Sequence, residues 1–167
     1  TLKLKGLRYA GVFPAESWFY REYTPFYADR VRDLDCIGLA GEALRHSLEI
    51  VRFHSLEGDL MRYQQQEPDR SVPADDANCY VRLFADKRLL IVCPFAGALR
   101  ERANKETFEA VWAKTGKRWF PPASVEALEF PYGFSPETQE RYDTCLDLLA
   151  HVTARIDERD FDIALIA

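Results

Sequence analysis

Three short stretches of the chain are hydrophobic almost without interruption: residues 35–40, 89–93 and 161–167. Unbroken apolar runs mark strands covered on both faces, as in a parallel sheet, because a solvated face would impose alternation. Each run is introduced by charge, at Asp33 and Asp35, at Asp86 to Arg88, and at Glu158 to Asp160. A fourth run, residues 124–130, does alternate and is expected near a sheet edge.

Helical spacing fills the intervals. Residues 137–159 read as one helix, with Ser135 as N-cap and Pro136 in the first helical position. Tyr142, Cys145, Leu146, Leu149, Val152 and Ile156 form its apolar stripe. A second helix is expected over residues 97–114, with Phe108, Val111 and Trp112 on its apolar side and Gly116 as its stop. A third lies within residues 17–31, interrupted at Pro25, and residues 41–52 suit a fourth. Residues 63–77 contain few apolar side chains and read as an exposed, mobile loop.

Strands alternating with helices imply right-handed crossovers and a parallel sheet. The expectation is an α/β, Rossmann-like fold, with a mainly parallel sheet and helices on both faces, forming a single domain over residues 1–167. The strands near 35–40, 89–93 and 161–166 should be neighbours in one core. Cys36, Ile37, Ile91, Val92, Ile163 and Leu165 should then be almost fully buried. The chain starts at Thr1 without a methionine and stops inside an apolar run, so both ends are expected to be boundaries within a longer protein.

Composition narrows the function. Hydrophobic residues make up 47% and charged residues 29%, which suits an ordinary globular domain. A net charge of -5 argues against a nucleic-acid partner. No apolar run approaches the ~20 residues of a membrane span, and no signal-peptide core is present. Cys36, Cys79, Cys93 and Cys145 are widely spaced and without a CxxC pair, and the first, third and fourth sit in apolar segments. They read as reduced cysteines of a cytoplasmic protein. His46, His54 and His151 form no metal-ligand pattern, so no metal site is expected within the chain.

In open parallel sheets ligands bind beyond the carboxyl ends of the strands. That directs attention to Gly41 after the first run and to Pro94, Phe95, Ala96 and Gly97 after the second. There a strand turns into a helix through small residues, and free N–H groups at a helix start suit a phosphate. Arg100, one turn on, would add charge. The alternative is a plain strand-to-helix turn, since neither GxGxxG nor GxxxxGK[ST] occurs. The aromatic segment from Tyr9 to Tyr20 would either stack on a base or sugar or dock a helix on the sheet. Gly11, Phe13 and Pro14 are its candidate ligand contacts, with Phe13 and Pro14 walling the cleft. Glu16 and Glu42 are carboxylates without a paired partner, and no catalytic residue is assigned.

Several pieces occur together in one order: Ala10-Gly-Val-Phe-Pro14, Tyr27-Ala-Asp29, Asp35-Cys-Ile-Gly38, Val92-Cys-Pro-Phe95, Phe130-Pro-Tyr-Gly-Phe134 and Asp160-Phe-Asp-Ile-Ala-Leu-Ile-Ala167. This order resembles glycosyltransferases of the GT-D fold and their relatives in bacterial surface-polysaccharide and glycan synthesis. The resemblance implies a nucleotide-sugar donor, a glycan acceptor and a Rossmann-like domain. It also implies Mn2+ or Mg2+ held by an acidic motif upstream of the segment like Ala10 to Pro14, and a glycine-rich element after the last strand, neither contained in this chain. The rival reading is a non-catalytic scaffold or partner-docking domain of a larger protein. A methyltransferase-like enzyme would need a glycine-rich loop after an early strand, which is lacking.

Overall fold

The computed structural model describes residues 11–39, 59–62, 80–112 and 118–167. The chain divides into two compact units, Thr1–Thr24 with Lys87–Ala103 and Pro122–Ala167, and Pro25–Asp86 with Asn104–Pro121. The three strand pairings among the described residues are all parallel, and the fold is α/β and Rossmann-like.

The first unit is built on three strands: β3 (Arg88–Val92), β4 (Ser124–Leu128) and β5 (Ile163–Ile166), in the order β4-β3-β5. The chain moves from β3 to β4 on one side and returns across β3 to β5 on the other. Leu90 and Val92 point to one face, where they pack with Phe13, Leu128, Leu148 and Val152 into the core. The alternating run at 124–130 lies at an edge of the described sheet, as β4.

Helices α2 (Ala96–Arg102) and α3 (Lys105–Trp112) follow β3; α4 (Pro136–Arg141) and α5 (Cys145–Asp157) precede β5. Ser135 caps α4, its Oγ accepting the Thr138 N–H at 3.3 Å, with Pro136 at the helix start. The single helix expected over 137–159 is instead two. Thr144 starts a fresh helix with a capping box: its Oγ1 accepts the Asp147 N–H at 3.2 Å, and Asp147 Oδ2 accepts the Thr144 N–H at 2.9 Å. The helix expected over 97–114 also breaks, at Ala103-Asn104, where Asn104 Oδ1 accepts the Thr107 N–H at 2.9 Å. In each case a polar side chain able to hold helix N–H groups competes with continuation of the old helix.

In the second unit β1 (Cys36–Leu39) pairs with β2 (Asp59–Arg62), whose four residues give no apolar run. The strand near 35–40 is therefore not a neighbour of β3, contrary to expectation. Hydrophobicity identified it as a strand, but pairing depends on partners that composition does not name. This unit also holds a small cluster of Val81 with Phe84 and Phe120. Helix α1 (Ser17–Arg32) contains Pro25 without a break. Gly41, the helix expected over 41–52 and the loop expected over 63–77 lie outside the described residues.

Burial corrects the expected core as well. Leu90, Val92 and Cys93 are fully buried, but Ile91, Ile163 and Leu165 are only half-buried. β5 lies at the edge of the described sheet, and Ile166 is 68% exposed.

At the amino edge of the sheet, Arg88 on β3 is locked to β5. Its Nη2 lies 2.9 Å from Asp162 Oδ1, its backbone N–H donates to Asp162 Oδ2 at 2.8 Å, and its Nη1 also reaches Asp160. The Arg88 guanidinium and N–H hold the Asp162 carboxyl down at about 2. A carboxyl lowered on folding contributes stability above its unfolded value of about 3.9, and that contribution fades as pH falls towards 2. Asp162→Asn should therefore lower the urea midpoint at pH 7, with the gap from wild type narrowing between pH 5 and pH 2.5. A gap that stayed constant over that range would show that Asp162 acts through packing and not charge.

Candidate functional site

The carboxyl edge of the β4-β3-β5 sheet gathers three pieces of chain: residues 93–97 after β3, residues 129–131 after β4, and Ala167 after β5. The Ala167 N–H donates to the Val92 carbonyl at 3.1 Å, so the ends of β3 and β5 lie side by side. The strand-end reading thus brings Pro94 and Ala167 to one edge, while Gly41 is outside the described residues.

A cleft of about 490 Å³ opens at this edge. Pro94 and residues 129–131 form its sheet side, and Arg141 and Tyr142 close it from the end of α4. His151 and Arg155, four residues apart on α5, complete it. The break between α4 and α5 is what turns Tyr142 back onto α5: its ring lies 5.7 Å from that of His151. The Arg141 guanidinium sits 5.3 Å from the same Tyr142 ring. The Tyr142 hydroxyl is buried and meets no hydrogen-bond partner among the described residues.

Glu129 organises the cleft floor. Its Oε1 accepts the Gly97 N–H at 2.9 Å, and its carbonyl accepts from Arg155 Nη1 at 2.9 Å. A Cβ on Gly97 would come within 2.8 Å of that carboxylate, so the close approach at the start of α2 uses the missing side chain. The first free amide of α2, expected to face a phosphate, thus already holds a carboxylate from this chain.

The other expected contacts are dispersed. Pro94 lines the cleft, Phe95 is exposed at the N-cap of α2, and Ala96 is fully buried. Arg100 is exposed in the last turn of α2 and lines neither cavity at this edge. Phe13 is 2% exposed and belongs to the core, so it does not wall the cleft. Gly11 lines a second, apolar cavity of about 290 Å³ with Gly133, Cys145, Leu149 and Ile166. Burial raises the Cys145 thiol above its ordinary value, which keeps it neutral there. The aromatics of α1 pack on one another, with Phe19 fully buried among Trp18, Tyr20 and Tyr23.

Arg141, His151 and Arg155 escaped the sequence reading because they sit on helices, where basic residues usually mark a solvated face. The signal that could have found them is the Thr144-x-x-Asp147 capping box. It breaks the helix and folds residues 141 and 142 over 151 and 155.

Among the described residues no group of His, Cys, Asp and Glu could hold a metal ion. Glu129, the one carboxylate lining the cleft among the described residues, is engaged with Gly97. Among the described residues no helix is long and apolar enough to cross a membrane. No protein family, characterised protein or solved structure matches the chain.

Proposed function

We propose that this chain is the nucleotide-sugar-binding domain of a cytoplasmic glycosyltransferase of surface-polysaccharide or glycan synthesis. The observation that supports it is the cleft at the strand carboxyl edge, where Rossmann-like sheets take nucleotide-type ligands. Its volume of about 490 Å³ lies within the range of small-molecule sites. In the reaction, the bond from the anomeric carbon to the diphosphate oxygen breaks and the electron pair leaves with the nucleoside diphosphate. A bond to the acceptor hydroxyl oxygen forms, and the hydroxyl proton is released to water. Charge builds on the leaving diphosphate, and cationic side chains fixed in advance lower the barrier.

One observation favours the scaffold reading instead: among the described residues the sole carboxylate lining the cleft is tied to the Gly97 N–H and is poorly placed as a base. Calorimetry with UDP-, GDP- and CMP-sugars, each with and without Mn2+ or Mg2+, separates the two. Binding of one nucleotide class is the expected result, and binding of none would leave the docking module standing.

A further inference from the structure

We infer that the anion subsite of this domain is the Arg141–His151–Arg155 cleft, and that its ligand is a phosphate ester of diphosphate type. The inference rests on the strand-edge ligand reading above and assigns the part of the ligand that carries charge. The chain as a whole has a net charge of -5, yet among the described residues this cleft is lined by two arginines, one histidine and a single carboxylate. That carboxylate is turned to the Gly97 N–H, and two arginines against one carboxylate leave the described lining cationic on balance.

The arginines are also held in place. Arg155 is braced by the Glu129 carbonyl through Nη1, which leaves other guanidinium N–H groups to donate. Arg141 lies against the Tyr142 ring, which in turn lies against His151. A planar fork of donors on a supported stem matches phosphate oxygens pairwise, which an ammonium cannot do. The start of α2 is the poorer choice, because Glu129 already fills it. A cleft of about 490 Å³ is larger than a diphosphate requires and leaves room for the groups it would bear.

The probe is inorganic pyrophosphate, titrated calorimetrically into the chain and into single variants. Wild type should bind it. Arg141→Gln should weaken binding about tenfold or more, the loss expected for a hydrogen bond to a charged group. Arg141→Lys should recover only part of that affinity, and Arg155→Lys, which keeps the charge and a donor for the Glu129 carbonyl, should also bind more weakly. Arg100→Gln should match wild type. Near-UV circular dichroism checks that each variant is folded. Absence of pyrophosphate binding, an equal loss in Arg100→Gln, or citrate binding as tightly as pyrophosphate would each overturn the assignment. Pyrophosphate binding that depends on Arg141, with no sugar nucleotide bound, would sink the transferase reading and leave this subsite intact. Sugar-nucleotide binding indifferent to Arg141 would do the reverse.

Discussion

Leu90→Ala should destabilise the protein by about 2–5 kcal/mol, the range for deleting a fully buried leucine side chain. Leu90 has no exposed surface and sits on the central strand, opposite Glu126 on β4 and Ala164 on β5. Its neighbours in the core come from both edges of the chain's fold: Phe13 before α1, Leu128 on β4, and Leu148 and Val152 on α5. Those side chains are fixed by separate elements, so they cannot close together into the space left behind, and the cavity term stays large. Ile163→Ala is the comparison. Ile163 is half-buried on an edge strand of the described sheet and should cost clearly less. Urea midpoints at constant slope measure both. Equal losses would mean that β5 is as deeply packed as β3.

That comparison shows what hydrophobic runs encode. The unbroken run at 89–93 and the alternating run at 124–130 predict β3 and β4, and the alternation also predicts the edge place of β4 in the described sheet, because burial on one or both faces selects the residues directly. The run at 161–167 predicts β5 but overstates its burial among the described residues, because apolar content does not reveal how deeply a strand is packed. The run at 35–40 predicts β1 and misplaces it, since its partner β2, Asp59–Arg62, carries charge at both ends and has no pattern to recognise. The site is less legible for a related reason. Pro94 and Ala167 are placed by strand direction alone, a property of any parallel sheet. Arg141, His151 and Arg155 are brought together by a helix break, and Glu129 displaces the expected phosphate from α2 through a contact spanning 32 residues.

Gly133→Ala should cost about 1–3 kcal/mol, the range for forcing extra volume into a tight contact. A Cβ at Gly133 would stand 2.5 Å from the Gly11 carbonyl oxygen and 3.1 Å from the Gly11 Cα, so it meets backbone and not a movable side chain. Neither segment of this clasp is free to retreat. On one side Phe13 is buried in the core and its carbonyl accepts the Cys145 N–H at 2.8 Å. Gly11 itself has φ +63, a conformation that favours glycine. On the other side the Gly133 carbonyl accepts from Gln139 Nε2 at 3.2 Å, and the Ser135 N–H donates to the Tyr132 carbonyl at 3.0 Å. Gly97→Ala is the instructive contrast, because its Cβ would meet only the Glu129 carboxylate, the far end of a flexible side chain. It should cost less in stability while loosening Glu129 from the start of α2. Denaturation measures the first effect, and pyrophosphate affinity reads the second. A Gly133→Ala protein as stable as wild type would mean that the segment around Gly11 yields without cost, and that the loop over the apolar cavity is not clasped.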